Sequence, residues 1–167
     1  MRVLVSTASR HGATSEIGDH IADTLGARAI DVVVARPEEV SDLRWFQAVV
    51  LGSAVYAGHW MPEAKDLAER VIAHGGLGVW LFSSGGVGDP PMPDTDPVEV
   101  ADLIEATFAR EHRLFAGKID KSKLNAGERA IVRAVRAPEG DFRPWDDISA
   151  WAESIADVLA REPTPVG

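Results

Sequence analysis

Short apolar runs alternate along the chain with stretches whose apolar residues recur at helical spacing. Runs rich in β-branched residues predict strands at residues 2–6, 29–34, 48–52, 77–82 and 113–119. Helical spacing predicts helices at residues 15–25, 62–74, 96–108 and 145–159. Strands that alternate with helices indicate a parallel sheet with right-handed crossovers and helices on both faces.

The same pattern predicts one domain over residues 1–160 and a loose tail at residues 161–167. Asp96 and Pro97 are typical of a helix start, as the capping residue and the first helical residue. The helix that they open is expected to turn its apolar positions toward the core. These positions are Val100, Leu103, Ile104 and Phe108.

Composition excludes several classes of function. The chain has no cysteine, so it forms no disulfide, thiolate metal site or iron–sulfur cluster. Its 26 acidic and 17 basic side chains give a net charge of −9, which disfavours a nucleic-acid partner. The five histidines show no metal-ligand spacing, and no G-x-S-x-G elbow is present. With no membrane-length apolar run and no signal peptide, we expect a soluble cytoplasmic protein.

The loop after the first strand has the composition of a phosphate site. Residues 7–16 read TASRHGATSE, in which small and hydroxyl side chains surround Gly12. Backbone N–H groups and the helix dipole favour an anion there, and Ser9 and Thr14 can add hydroxyl donors. The loop is neither a Walker loop nor G-x-G-x-x-G, and it lacks the acidic cluster of a receiver domain. A plain strand-to-helix turn is the alternative interpretation.

The loops after the third and fourth strands reach the same edge of the sheet, where parallel sheets bind their ligands. Residues 52–60 read GSAVYAGHW and include Tyr56, the only tyrosine, whose ring can stack on a planar ligand. The alternative for Tyr56 is a core position packed against the following helix, and Trp60 is assigned to that core. Residues 83–89 read SSGGVGD, small residues that let backbone amides approach the polar edge of a ring. A flexible connector is the alternative for this second loop.

Two features carry a family resemblance. The pattern Ser/Thr-x-x-Gly-x-Thr after the first strand resembles the phosphate loop of flavodoxins. The run VVLGSAVYAGHW, the sequence FAGKID and the closing Trp-rich helix are similar to the menaquinone-dependent protoporphyrinogen oxidase branch of that family. The resemblance implies a flavodoxin-like, three-layer α/β fold, a five-stranded parallel sheet in the order 2-1-3-4-5, and FMN as the cofactor.

The resemblance also implies which residues contact FMN. The phosphate contacts would be Ser9, Arg10, His11, Gly12, Ala13 and Thr14. The ring contacts would be Ser53, Ala54, Val55 and Tyr56. The small-residue loop adds Ser83, Ser84, Gly85, Gly86, Val87, Gly88 and Asp89 at the ring edge. The chain lacks an aromatic residue in this loop and the longer basic and aromatic stretch of the oxidase branch, so the porphyrin activity is not carried over.

A basic segment at residues 121–137 contrasts with the acidic remainder. Nine Lys/Arg and five Asp/Glu lie between residues 110 and 143. Helical spacing places three arginines on one face, namely Arg129, Arg133 and Arg136. An apolar flank consists of Leu124, Ile131, Val132 and Val135. Such a helix can dock on an anionic membrane or on an acidic redox protein, and a solvated surface helix is the alternative.

The expected function is that of an FMN-dependent redox protein, because a bound flavin would carry the chemistry. Its electron acceptor would be a partner protein or a small molecule such as a quinone. The missing second aromatic residue leaves the ring open and favours an oxidoreductase over an electron carrier. The alternatives are an interaction protein of the same fold without tightly bound FMN, and a protein that uses a deazaflavin.

Overall fold

The computed structural model of the protein describes residues 1–88 and 90–162. The elements in chain order are β1 (Arg2–Ala8), α1 (Ala13–Ala27), β2 (Asp31–Val34), β3 (Ala48–Tyr56), β4 (His59–Trp60), α2 (Pro62–His74), β5 (Gly78–Ser84), α3 (Val100–Thr107), β6 (Glu111–Phe115), β7 (Lys118–Ile119), α4 (Ala126–Ala134), β8 (Gly140–Asp141) and α5 (Trp145–Arg161). Short 3₁₀ turns occupy Pro37–Glu39 and Lys121–Lys123.

Five strands form one parallel sheet in the order β2-β1-β3-β5-β6. This confirms the predicted order 2-1-3-4-5, since β4 is a two-residue strand that only extends the end of β3. In the central register Val50 lies beside Val5 on one side and beside Trp80 on the other. Residues 48–54 of β3 are all buried, as expected for a strand covered on both faces.

Each face of the sheet packs against a pair of helices. Alternate strand residues point to opposite faces, so one set packs with α1 and α5 and the other with α2 and α3. On the first face Phe82, Phe115 and Trp151 pack together with ring centroids 5.6 to 6.0 Å apart, and Trp151 meets both phenylalanines edge to face. On the second face the buried Trp60 packs among α2 residues such as Leu67, which agrees with its assignment to the core. The result is the predicted three-layer arrangement.

Several predicted element boundaries are wrong, each for a local reason. β2 begins at Asp31 rather than at residue 29, because Ala29 adopts a φ of 60° and closes the turn after α1. α3 begins at Val100 rather than at residue 96 and ends before Phe108. Phe108 itself takes a φ of 54° and is 88% exposed, so its predicted core position is also wrong.

The fifth predicted strand, residues 113–119, divides into two. β6 ends at Phe115, and β7 turns away to pair antiparallel with β8 in a separate small sheet. The predicted helix at residues 121–137 is likewise shorter, since α4 ends at Ala134 and Arg136 has a φ of 53°. The predicted tail begins inside α5, which includes Arg161, and residues 163–167 lie outside the described residues. None of the described helices is both long and apolar enough to cross a membrane.

Candidate functional site

A cavity of about 480 Å³ opens at the carboxyl edge of the sheet. The three predicted loops meet around it and contribute Ser9, Arg10, His11, Ala13, Thr14, Ala54, Val55, Tyr56, Ser84, Gly85, Gly86 and Val87. Ligands of open α/β sheets bind at this edge, and small-molecule pockets typically measure ~300–1,000 Å³. The structure thus places these loops around a space that suits a small molecule.

The first loop presents hydrogen-bond donors to the cavity. Gly12 has a φ of 90°, and its amide donates to Ser9 Oγ at 3.0 Å, while its carbonyl accepts the first bond of α1 from the Glu16 amide at 3.0 Å. Thr14 is 2% exposed and lines the cavity. The N–H groups of a first helical turn have no acceptor within the helix, so they are available to an anion. Gly12 contributes here through its backbone conformation rather than through the lining.

Two side chains of the loop, Arg10 and His11, turn toward α4. The Arg10 guanidinium lies 4.4 Å from the centroid of the Tyr56 ring, and Arg10 Nη1 donates to Glu128 Oε1 at 3.0 Å. His11 Nε2 lies 3.2 Å from the same oxygen. Bonds from the Asn125 amide and from Arg10 lower the pKa of Glu128 below its usual value. The carboxylate is therefore ionised at neutral pH and links the loop to α4.

Tyr56 is positioned by a tight hairpin. Ala57 and Gly58 both have positive φ, at 50° and 79°, which is the conformation of a two-residue type I′ turn between β3 and β4. Burial raises the pKa of the half-buried Tyr56 phenol. On the outer side of the hairpin, Glu99 Oε1 lies 2.8 Å from His59 Nδ1. The hairpin thus places Tyr56 at the cavity wall.

Two predicted ring contacts, Ser53 and Ser83, lie outside the cavity lining. Because strand side chains alternate, Ala54 and Ser84 face the cavity, whereas Ser53 and Ser83 point to the α2 face. Ser53 Oγ accepts from the Met61 amide at 2.9 Å and donates to the Ala54 carbonyl at 2.8 Å. Ser53 thus joins the end of β3 to the start of α2 beneath the site.

The small-residue loop forms the floor of the cavity. A Cβ atom on Gly85 would lie 3.1 Å from Val55 Cβ, so only glycine fits there without displacement. The Gly117 amide donates to the Gly86 carbonyl at 2.7 Å, which joins the loops after β5 and β6. Gly88 lies beyond the lining beside Pro138, and Asp89 lies outside the described residues.

Comparison with known proteins assigns the family. The profile of the flavodoxin domain family matches residues 4–144. The chain belongs to the flavodoxin domain family. No curated protein matches this flavodoxin domain.

Solved structures share the fold of this flavodoxin domain. A flavodoxin from the domain Archaea is 17% identical with a TM-score of 0.65, covering 96% of this chain and 100% of its own. The flavodoxin of Streptococcus pneumoniae TIGR4 is also 17% identical with a TM-score of 0.65, covering 95% and 99%. Rubredoxin oxygen:oxidoreductase from Desulfovibrio gigas is 12% identical with a TM-score of 0.64, covering 95% of this chain and 36% of its own.

Residues that the sequence interpretation missed form the remaining wall of the flavodoxin domain's cavity. They belong to the segment that links β6 to α5, and they include Lys118, Ile119, Asp120, Leu124, Ile131, Val132, Val135 and Ala137. The signal was the apolar flank of the basic segment, which we interpreted as a surface for a membrane or a partner. The structure turns that flank toward the cavity, while Arg129, Arg133 and Arg136 are exposed.

Arg143 fixes the base of that segment to α1. Its side chain is almost fully buried, donates to Asp141 Oδ1 through Nε at 2.8 Å, and bonds to Glu16 and to the Ala13 carbonyl. Its guanidinium lies 4.6 Å from the Trp145 ring centroid. Hydrogen bonds from Arg143 lower the pKa of Glu16 and of Asp141. A buried cation thus lies next to the first turn of α1, and no local sequence pattern had indicated it.

A second cavity, of about 570 Å³, lies at the opposite edge of the sheet, where Gly78 begins β5 and Phe108 follows α3. It is remote from the strand-end loops. Within residues 1–88 and 90–162, no group of three His, Asp or Glu is arranged to hold a metal ion. The cavity at the carboxyl edge is therefore the candidate site.

Proposed function

We propose that the chain binds FMN in the carboxyl-edge cavity and acts as a flavin-dependent redox protein. One observation carries the proposal: a single cavity joins the donor-rich N-terminus of α1 to the ring of Tyr56. FMN has a phosphate at one end and a planar ring system at the other, so it matches both ends of the cavity. Membership of the flavodoxin domain family supports the same cofactor.

The donor chemistry of the first loop fits a phosphate. First-turn amides of α1 and the Thr14 hydroxyl would donate to the phosphate oxygens. Arg10 would bring positive charge and His11 a ring nitrogen to the same place, since both already contact a carboxylate across the cavity. Such charge-assisted bonds are the stronger class of hydrogen bond.

The other end of the cavity fits a flat ring. Tyr56 offers an aromatic face, and Ala54 and Val55 are small or aliphatic. Gly85 has no side chain to project into the cavity. In the part of the chain that the structure describes, the Gly86 amide donates to no acceptor, so it is available to the polar edge of a ring. When bound, FMN supplies one- and two-electron chemistry, and the chain supplies binding, orientation and access.

The partners are part of the proposal. The aliphatic wall formed by Ile131 and Val135 favours an oxidoreductase that passes electrons to a small apolar acceptor such as a quinone. This suits the resemblance to the menaquinone-dependent oxidase branch, without its porphyrin substrate. A negatively charged redox protein or an anionic membrane surface would dock on the exposed arginines, Arg129, Arg133 and Arg136.

Titration with FMN and with riboflavin tests the proposal. We expect purified protein to carry a flavin spectrum, FMN to be the molecule released from it, and riboflavin to bind more weakly. Thr14→Ala removes one hydrogen bond to the phosphate and should weaken the binding of FMN by about 1.5–3 kcal/mol. The affinity for riboflavin, which has no phosphate, should not change. Thr24→Ala is the matched control, because Thr24 lies in the same helix and bonds to the His20 carbonyl.

Each alternative gives a distinct result. Equal affinity for FMN and riboflavin would show that the phosphate assignment is wrong. Release of a deazaflavin, identified by mass, would favour the alternative cofactor. Absence of any chromophore and of any binding would favour an interaction protein of the same fold.

A further inference from the structure

Helix α4 is amphipathic, yet none of its side chains is buried. Ile131 and Val135 are 64% and 67% exposed although both line the cavity. Residues four apart lie on the same face of a helix, so Ile131, Val135 and Glu128 share the cavity side, whereas Arg129 and Arg133 lie on the other side. An amphipathic helix normally covers its apolar stripe against a partner. Here the stripe faces the cavity.

The face of Tyr56 looks toward this stripe. A single guanidinium spans the gap, because Arg10 lies 4.4 Å from the Tyr56 ring centroid and donates to Glu128 on α4 at 3.0 Å. Tyr56 is the only aromatic residue among those that line the described cavity. A planar ring stacked on this face of Tyr56 would displace the Arg10 guanidinium from it and would have α4 on its other side. The half-exposed Arg10 side chain can turn aside and still reach Glu128.

The segment that carries α4 is attached at both ends of the cavity wall. At its base β7 pairs with β8, and the Phe142 amide donates to the Gly117 carbonyl at 3.0 Å. At the other end Glu128 Oε1 contacts both Arg10 and His11, at 3.0 and 3.2 Å. The base is a backbone ladder, whereas the outer attachment consists of side chains alone. The segment can therefore move about its base once the side-chain contacts at its outer end are broken.

We propose that α4 is a lid over the flavin ring, that Ile131 and Val135 form the second wall of the ring site, and that Glu128 latches the lid to Arg10 and His11. The inference rests on the proposed binding of FMN. It explains how this flavodoxin domain covers the ring without a second aromatic residue. It also assigns Glu128 two functions, since its Oε2 accepts from the Asn125 amide at 2.9 Å and caps α4.

The two functions of Glu128 can be separated by mutation. Glu128→Gln keeps an acceptor for the capping box but removes the negative charge that pairs with Arg10. Asn125→Ala removes the cap bond from the Glu128 amide, at 2.8 Å, and leaves the latch pair in place. A latch effect therefore appears in the first variant, and an effect of helix stability alone appears in the second.

The experiment measures FMN dissociation and amide hydrogen exchange of residues 126–135 with and without FMN. We expect FMN to slow exchange in α4. We expect dissociation about tenfold faster in the double variant Ile131→Ser/Val135→Ser, and several-fold faster in Glu128→Gln. Arg133→Gln is the control on the opposite face and should match wild type.

Three outcomes would overturn the lid. The first is unchanged exchange of α4 when FMN is bound. The second is dissociation within twofold of wild type in both Ile131→Ser/Val135→Ser and Glu128→Gln. The third is faster dissociation in Asn125→Ala alone. In each case FMN still binds, so the proposed function stands. If wild-type protein binds no FMN at all, the proposed function and the lid are both wrong.

Discussion

The indole nitrogen of Trp60 donates a hydrogen bond of 2.7 Å to the hydroxyl of Ser83. Since an indole N–H can only donate, the Ser83 hydroxyl is free to donate onward to His112 Nε2, 2.8 Å away. The other ring nitrogen, Nδ1, lies 3.6 Å from Asp96. This chain of contacts joins the β4 hairpin to β5 and β6 beneath the cavity, and a neutral His112 can accept the bond from Ser83.

His112 therefore makes stability depend on pH. Burial lowers its pKa below the ordinary value of 6.5, so the unfolded chain binds the proton more readily. Its contribution is complete above pH 6.5 and declines as the pH falls through that value. Urea midpoints measured from pH 8 to pH 5 should fall less steeply in His112→Gln than in wild type. His74→Gln, at an exposed position, is the control. Equal slopes for wild type and His112→Gln would contradict the prediction.

Tyr56 should quench the fluorescence of the bound flavin and increase the affinity for FMN. In Tyr56→Ala the stacked ring is lost, so we expect FMN fluorescence to recover and affinity to fall about tenfold. Tyr56→Phe keeps the aromatic face and should stay close to wild type. The measurements are fluorescence titration and the midpoint potential. If Tyr56→Ala matches wild type in both, the ring of the cofactor lies elsewhere.

Arg143 should contribute more to stability than a surface arginine. Arg143→Met removes bonds to Asp141, to Glu16 and to the Ala13 carbonyl, and should cost about 2 kcal/mol of the free energy of unfolding. Arg143→Lys should recover only part of this, because an ammonium cannot reproduce the guanidinium fork. Arg113→Met, which loses one exposed pair with Glu111, is the comparison and should cost under about 1 kcal/mol. Similar losses at both positions would refute the structural role.

The exposed arginines of the α4 segment should govern encounter with a negatively charged partner. Replacing Arg129, Arg133 and Arg136 with Gln should slow reduction by an acidic redox protein, or reduce sedimentation with anionic liposomes, at low ionic strength. The difference should shrink as salt rises, because the screening length is about 10 Å at 0.1 M salt. Neutral liposomes are the control. If the triple variant behaves like wild type in both low-salt assays, the three arginines form a solvated helix face and dock no partner.

The fold was predictable because its signals are local. Apolar strands and periodic helices give a parallel sheet, and a parallel sheet gathers its loops at one edge, which brought Thr14 and Tyr56 to the same cavity. The direction of side chains at strand ends was not predictable. Ser53 and Ala54 are neighbours whose side chains point to opposite faces of the sheet. Which of them faces the cavity depends on the register of the strand.

The α4 wall required information that no single segment contains. Its apolar stripe was visible in the sequence, but what Ile131 faces depends on the return of the chain through β8. Phe108 shows the converse, since its helical spacing was correct but the helix ends one residue before it. Arg143 had no local signal, because its partners Glu16 and Ala13 are more than a hundred residues away.

Residues 118–141 leave the sheet and return to it at nearly the same point, because the Phe142 amide bonds to the Gly117 carbonyl at 3.0 Å. The segment is therefore an insertion whose two ends lie close together. It can lengthen, shorten or be replaced during evolution without disturbing the order of the central strands, since loops tolerate insertion where their ends are close together. Changes confined to residues 118–141 can therefore alter the cavity wall while the order of the central strands is kept.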